Sequence, residues 1–564
     1  MHTIQHTYQY LLADIGRLSG IPSITRASGN DLFEWCLNGA PKLEKAILQS
    51  LELGLEFPLD LFPDWLRPLG ERFHRKMEPA DLRWIRQILL FCYKAEHAFT
   101  QAQVSSQTVL WTDANRSCIS SNSISGFTFD LLQRAKAHCT SVLSRAHFED
   151  ILPHHGPGAV YDSETTKGKW QKWFSTIDAI YAYHRFFYLQ GSDHWLDQCD
   201  GLEIDDIIRC RMIPVPKDAR GPRLICVHPA ESVWIQQGVR DQCEHAIQRD
   251  RGSGTWPRGH VLFDDQSVNA SLAFKASYDR SMATIDLEQA SDRLSDWLVQ
   301  FVFGRYYKYF GCCRAMEVVL PCGSIEPIAC YAPMGNATTF PVQSLVFWSL
   351  CVATLELVGG ATPDDVYVFG DDIIVPSSHC EAICDVLTTV GLVVNSGKTF
   401  YRSDFRESCG CDAFRGTDVT PVRWKTTYDI VSLHGLQSAC DTAMRLRRSG
   451  YTEASAELYS TCNQFLRDRT GHTLKRVFDP HHGGIAEWTP RLDSACCDAY
   501  WHRSTQQFVS PVLRLSHVHS EHEHGWYHAL ASLTSLERVG RGCDPARVPS
   551  RHSRLNRGWT PLLI

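Results

Sequence analysis

Val366-Tyr367-Val368-Phe369-Gly370-Asp371-Asp372-Ile373-Ile374-Val375 holds two apolar, strand-like runs joined only by Gly370-Asp371-Asp372. That spacing predicts a tight β-hairpin with two adjacent carboxylates at its tip. Adjacent aspartates in an exposed turn are ordinary turn formers, and a Gly-Asp-Asp tripeptide arises by chance in roughly one chain in ten of this length. The flanking runs give it more weight. Both are almost wholly apolar, which implies burial, and carboxylates clustered at a buried position are costly without a cation to offset them.

Upstream, Ser281 to Leu287 predicts a strand with Asp286 near its end. A helix then begins at Ser291 and places Leu294, Trp297, Leu298, Phe301 and Val302 on one apolar face. Asp286 therefore falls at a strand-to-helix junction. Asp286, Asp371 and Asp372 supply hard oxygen ligands from rigid elements. They suit two Mg²⁺ ions about 3.5 to 4 Å apart, with Mn²⁺ as a substitute. Such a pair activates an attacking hydroxyl and stabilises a leaving phosphate oxygen.

Two further segments bear on a phosphate-bearing substrate. Arg209, Arg211, Lys217, Arg220 and Arg223 surround a Pro- and Gly-punctuated turn between two β-type stretches. A mixed Arg and Lys set suits a triphosphate, although taken alone the segment reads more naturally as a solvated basic hairpin. Ala332-Pro333-Met334-Gly335-Asn336 is a turn-rich stretch followed by a helical pattern through Phe340, Ser344, Phe347, Trp348 and Cys351. Gly335 permits close approach of backbone to a ligand. Asn336 and Thr339 offer hydrogen bonds to a ribose, or else they cap the helix. Ser396-Gly397-Lys398-Thr399 imitates the end of a phosphate-binding P-loop, but five residues separate Gly391 from Gly397 and the apolar run lies between the glycines, so a P-loop is rejected.

The remaining sequence sets bounds. The 564 residues are 44% hydrophobic and 21% charged, an ordinary globular composition, with no fixed-period repeat. Lys and Arg total 56 against 63 Asp and Glu, a net charge of −7, so any nucleic-acid site must be a local basic surface. The 22 cysteines are dispersed and Met1 to Leu18 lack the pattern of an export signal, which predicts reduced thiols, mostly buried. Leu345 to Val358 is broken by Ser349, Thr354 and Glu356, which predicts no membrane span. Residues before about 150 read as helical, 209–375 as an α+β core, and the tail after about 430 as helical again with a run of arginines. His517, His519, His522, His524 and His528 lack a second ligand cluster at zinc spacing and read as polar surface.

Taken in order, these segments resemble the RNA-directed RNA polymerase, or replicase β subunit, of positive-strand RNA bacteriophages of the leviviral group. The resemblance is carried by His155-Gly156-Pro157-Gly158-Ala159, Val215-Pro216-Lys217 with Arg223, Asp286-Leu287-Glu288-Gln289-Ala290-Ser291-Asp292, Met334-Gly335-Asn336, and Phe369-Gly370-Asp371-Asp372. Lys398-Thr399-Phe400, Phe405-Arg406-Glu407-Ser408-Cys409-Gly410 and Arg415-Gly416-Thr417-Asp418-Val419-Thr420-Pro421 extend it, so about residues 150 to 425 are covered.

The resemblance implies a right-hand α+β polymerase with an antiparallel palm sheet and helical outer lobes. Residues 1–150 would form an N-terminal helical lobe with part of the fingers, 151–280 the fingers with the basic element, 281–425 the palm, and 426–564 the thumb with a helical, basic tail. By position, Asp286, Asp371 and Asp372 would hold the metals, and Lys217, Arg220 and Arg223 would contact nucleotide phosphates. Asn336 with Asp292 or Ser291 would sense the ribose 2′-hydroxyl, and Lys398 would protonate pyrophosphate. RNA template and product, ribonucleoside triphosphates, host elongation factors Tu and Ts and a ribosomal RNA-binding protein are the implied partners, in the cytoplasm of a bacterial host. Two positions depart from the family pattern: Phe369 stands where Tyr is usual, and Ala337 where a second Gly is expected. A reverse transcriptase, another two-metal phosphoryl transferase and a catalytically dead RNA-binding protein are the competing readings.

Overall fold

A computed structural model describes residues 2–561 apart from 28–29, 97, 119–125, 157, 159, 162–174, 178–202, 206, 219–220, 250–256, 361, 482, 491–497, 499, 504–506 and 521–547. Arg220 and the His522–His528 part of the histidine-rich segment lie outside the described residues. Helices dominate before residue 150, as the three- and four-residue spacing of apolar side chains predicts. In the Pro79–Leu90 helix, for example, Leu82, Ile85, Ile88 and Leu89 are fully buried.

Two sheets position the residues singled out above. In the first, strands β1 (Arg209–Asp218) and β2 (Gly221–Val227) form an antiparallel hairpin, and β1 also pairs in parallel with β4 (Glu317–Val319), which pairs with β5 (Ile325–Pro327). In the second, β3 (Met282–Ile285), β7 (Asp372–Pro376) and β6 (Tyr367–Phe369) lie in the order β3-β7-β6, all antiparallel. Residues 393–400 run along the free side of β3, with Thr284 and Phe400 exchanging backbone hydrogen bonds at 3.0 and 2.9 Å. A further hairpin, β8 (Phe405–Ser408) and β9 (Cys411–Phe414), packs beside β3 through Arg406, whose Nε donates to Met282 O at 2.7 Å.

Behind this sheet runs the helix Thr339–Val358, almost all of it buried. It is long and apolar enough to cross a membrane by length and composition, with a mean hydropathy of 1.5 in its most apolar window. Since 83% of that window is buried inside the protein, it serves as the central core helix.

The buried apolar side chains form two large clusters. One gathers residues between Trp111 and Leu392, including the β3-β7-β6 sheet and the central helix. The other joins the N-terminal helices, Ile4 to Ala95, to residues between Phe400 and Leu513. Polar contacts also tie the elements of the second cluster together. Glu52, at the end of the Ala40–Leu53 helix, accepts from the backbone N–H groups of Tyr401, Arg402 and Ser403 at 2.8 to 3.0 Å, and from the Ser403 hydroxyl at 2.7 Å. A carboxylate with four donors fixes the chain between Lys398 and β8.

Two expectations about elements need correction. The single helix expected from Ser291 is a short helical turn, Ala290–Arg293, followed by a separate helix, Asp296–Phe303. The break falls at Ser295, whose hydroxyl caps the second helix by accepting from Leu298 N at 3.1 Å. Among the described residues the tail is helical only through Leu433–Arg448 and Thr452–Thr470. Beyond it a long antiparallel pair, Gln507–Ser520 with Val548–Pro561, takes over. Leu513-Arg514-Leu515-Ser516 alternates apolar with polar, the two-residue period of a strand. Arg551, Arg554 and Arg557 lie in that second strand. Among the described residues the cysteines are thiols and most are buried.

Candidate active site

The Gly370 turn is built as the sequence spacing predicts. Phe369 pairs with Asp372, Gly370 takes φ 66°, and a Cβ there would lie 2.4 Å from the Phe340 ring. Only glycine fits such a turn against the central helix. Gly370 N–H donates to Ser344 Oγ at 3.1 Å, which anchors the hairpin tip to that helix. Phe369, in the place of the usual Tyr, packs edge-on against Phe340.

The sheet register then brings the aspartates together. Ile285 is paired with Ile373, so the next antiparallel position sets Asp286 beside Asp372. Burial pushes both carboxyls up to about 6. Each also feels the charge of Asp371, which is exposed at the turn, and Asp372 feels that of Asp286 as well. Asp286 Oδ2 accepts from Asn395 Nδ2 at 2.7 Å, and Asp372 Oδ2 accepts from Cys409 N–H at 3.2 Å and its thiol at 3.4 Å. The Asp372 carbonyl accepts from the fully buried Asn269 at 3.4 Å.

Lys398 Nζ lies 3.3 Å from Glu407 Oε1. The carboxylates of Glu407, Asp286 and Asp412 hold its ammonium strongly protonated, against a smaller effect of burial. A lysine so held is a fixed positive charge beside Asp286.

Do the residues fit a divalent cation? The donors are carboxylate oxygens, the hard ligand class, and two buried carboxyls raised by burial and mutual repulsion are the arrangement a cation relieves. Among the described residues, no three His, Cys, Asp or Glu side chains are gathered closely enough to form a finished metal site. The donor set fits, and the three-ligand convergence is not built by these side-chain positions alone.

The Met334-Gly335-Asn336 loop ties this sheet to the basic hairpin. Cys226 N–H donates to Met334 O at 2.8 Å, and Gly335, at φ 118°, leaves no space for a side chain: a Cβ would sit 2.1 Å from the Cys226 carbonyl oxygen. Ala337 avoids the left-handed region and donates its N–H to Gln236 Oε1 at 3.2 Å, so the loop has no need of a second glycine there. Asn336 is buried and divided in its contacts. Its Oδ1 accepts from the Thr338 N–H and hydroxyl, both at 2.8 Å, which braces the turn ahead of the helix rather than capping it, while among the described residues its Nδ2 has no partner. Thr339 donates its hydroxyl to the carbonyls of Ala332 and Pro333 and so braces the loop. Asp292 accepts from Trp111 Nε1 at 3.2 Å, and burial pushes its carboxyl up to about 6, opposed by hydrogen bonds from Trp111, Met334 N–H and Ser291 and by the charge of Arg223.

On the hairpin, Lys217 and Arg223 are exposed. Arg209 instead pairs with Glu317 at 2.7 Å, and Arg211 lies over the Tyr161 ring. A small cavity beside Lys217 is lined by Glu96, Phe99, Pro216 and Asp218 among others, at the hairpin and away from the carboxylates. Sequence reasoning passed over Asn395, Glu407, Ser344, Trp111 and Asn269. Glu407 and Ser344 stand inside segments already singled out, whereas the others had no local signal.

Against known proteins, residues 197–444 match the family model described as RNA replicase, beta-chain. The match covers less than half of the chain. The chain is 34% identical over 212 residues to the RNA-directed RNA polymerase subunit beta of Qbeta virus strain MX1, covering 37% of this chain and 34% of that protein. It is 35% identical over 216 residues to the RNA-directed RNA polymerase beta chain of Escherichia phage MS2, covering 38% of this chain and 37% of the phage protein. The alignments thus span little more than a third of either replicase. Among solved structures, the BmCPV RNA-dependent RNA polymerase at its elongation state is 11% identical with a TM-score of 0.40, over 80% of this chain and 48% of that one. All the candidate residues from Lys217 to Lys398 fall inside the replicase-matched region.

Proposed function

We propose that this chain is the RNA-directed RNA polymerase of an RNA phage, extending RNA on an RNA template from ribonucleoside triphosphates in the cytoplasm of a bacterial host. The observation that carries the proposal is the register of β3 with β7, which sets Asp286 beside Asp372 under the Asp371 turn, within the replicase-matched region. The second sheet is then the palm, the β1–β2 hairpin belongs to the fingers, and the helices after residue 430 belong to the thumb. In residue terms the lobes are 1–150, 151–280, 281–425 and 426–564, with the helical N-terminal lobe and the tail as surfaces for host elongation factors Tu and Ts and a ribosomal RNA-binding protein.

Asp286, Asp371 and Asp372 would hold two Mg²⁺ ions, which supply charge stabilisation at the attacking and leaving oxygens. The chain's own side chains do the rest. Lys217, Arg220 and Arg223 draw in and orient the triphosphate, and Lys398 holds positive charge, and a proton at Nζ, beside Asp286. Asn336 Nδ2, buried and unpartnered, offers its N–H to the ribose 2′-hydroxyl, with Asp292 and Ser291 behind it.

Template dependence tests the proposal. Purified protein given poly(C) and a short primer should incorporate guanosine nucleotides and no others, and poly(A) should direct uridine nucleotides. Incorporation indifferent to template, or confined to deoxynucleotides, would sink it in favour of a terminal transferase or a reverse transcriptase.

Two side-chain predictions arise here. Lys217→Ala and Arg223→Ala should each lower kcat/KM for nucleotide roughly ten- to a hundredfold, the loss of one charge-assisted contact, while RNA affinity changes little. If RNA affinity fell and nucleotide kinetics stayed unchanged, the hairpin would be a template surface. Asn336→Ala should reduce the preference for ribo- over deoxyribonucleotides about tenfold, mainly through poorer ribonucleotide use. It should also destabilise the protein by about 1 kcal/mol through the lost hydrogen bonds from Thr338, so the melting temperature is measured beside the kinetic ratio. An unchanged ratio with a lower melting temperature would leave Asn336 as a brace of the turn alone.

A further inference from the structure

The turn between β8 and β9 goes against local preference. Cys409 and Gly410 both occupy the left-handed region, at φ 49° and 78°. In a two-residue hairpin of this kind the first position ordinarily belongs to Asn, Asp or Gly. Cysteine has neither glycine's freedom nor an amide or carboxylate to stabilise the conformation locally, so it sits there at a cost. Strain of this sort persists where the surroundings over-determine it.

The surroundings are the Asp372 carboxylate. Its Oδ2 accepts from the Cys409 N–H at 3.2 Å and from the Cys409 thiol at 3.4 Å, two donors from one residue on one oxygen. Among the described residues Oδ1 accepts no hydrogen bond. Two donors on the same oxygen stop a carboxylate from rotating about its Cβ–Cγ bond, and a thiol, as a weak donor, does this while withdrawing little charge.

We propose that Cys409 is a positioning residue, fixing the rotation of Asp372 so that Oδ1 is presented toward the side of the sheet where Asp286 lies, to a divalent cation. The proposal rests on the reading of Asp286, Asp371 and Asp372 as cation ligands, and it explains why cysteine occupies a turn position that asparagine or glycine would fill at lower energy. Residues that orient ligands from outside the coordination sphere commonly contribute ten- to a hundredfold in metal affinity.

The test separates geometry from stability. Full-length protein is titrated with Mn²⁺ in a calorimeter and melted in parallel, as wild type and as Cys409→Gly, Cys409→Ala, Cys409→Ser and Asp372→Asn. Cys409→Gly relieves the backbone strain, so it should melt at or above the wild-type temperature and yet bind Mn²⁺ about tenfold more weakly. Cys409→Ala should lose the same affinity, and Cys409→Ser, which keeps a donor, should recover most of it. Wild-type Mn²⁺ affinity in both the Gly and the Ala variants would overturn the positioning role while leaving the cation site standing. Wild-type protein that binds Mn²⁺ no better than Asp372→Asn would remove the cation site itself, and this proposal with it.

Discussion

Asp371→Asn should abolish nucleotide addition, lowering the rate on the order of a thousandfold or more, while the protein folds and binds RNA much as before. The substitution keeps the side-chain volume and removes one charge from an exposed turn position, so the packing around Phe340 and Ser344 has no reason to change. What it removes is one carboxylate of three. Losing a ligand of a two-metal centre forfeits several kcal/mol of transition-state stabilisation, and each 1.36 kcal/mol is about tenfold in rate. Single-turnover extension of a primed RNA, with RNA binding measured alongside, checks it. A rate within tenfold of wild type would refute the role of Asp371.

The second large effect concerns stability. Arg86→Ala should destabilise the protein by about 3–5 kcal/mol, the usual consequence of stranding buried charges. Arg86 lies at 2% exposure between Glu44 Oε1 and Asp412 Oδ2, each 3.0 Å from its guanidinium, and donates to Val419 O at 3.2 Å. Its removal leaves Glu44 without that partner and Asp412 with Arg423, at 3.3 Å, and the more distant charge of Lys398. Burial works to raise the Asp412 carboxyl, but Arg86 and Arg423 outweigh it and hold the group below the ordinary carboxylate range. A depressed carboxyl contributes stability above its unfolded pKa, about 4, and that contribution is lost as the pH falls through the folded value. The deficit of Arg86→Ala should therefore narrow as the pH falls from above the ordinary carboxylate range, where the stranded and buried carboxylates protonate, to the depressed value that Asp412 has in the wild type. Thermal melts of both proteins across that range measure it, and a constant deficit would contradict the electrostatic account.

Much of this site was legible in the sequence because its parts are local. The Gly370 hairpin, the β1–β2 hairpin and the Met334 loop are each set by a few consecutive residues. The close approaches of Gly335 and Gly370 to Cys226 and Phe340 explain why glycine stands at those positions. The α+β core between Arg209 and Val375 followed from the same short-range patterns.

Long-range contacts were not legible. Asn395 reaches Asp286 across 109 residues, and Trp111 reaches Asp292 across 181, with nothing in either neighbourhood to announce the partner. The shared core of the N-terminal helices and residues after 400 is of the same kind. Helical spacing shows that Leu82 and Ile85 are buried, but not that they pack in one cluster with Leu436 and Tyr459. The broken helix at Ser295 was missed because the apolar face continues through the break, and only the serine cap marks it.

The most direct measurement is extension of a labelled RNA primer annealed to an RNA template, by wild-type protein and by Asp286→Asn and Asp372→Asn, with ribo- or deoxyribonucleotides and with or without Mg²⁺. A primer bypasses initiation, so the result reports the site itself. Wild-type protein should add template-complementary ribonucleotides only when Mg²⁺ or Mn²⁺ is present, and both asparagine variants should bind the primer–template and leave it unextended. Extension that persists in either variant or without a divalent cation, or RNA binding by wild-type protein with no extension under any condition, would contradict the assignment of these aspartates to RNA synthesis.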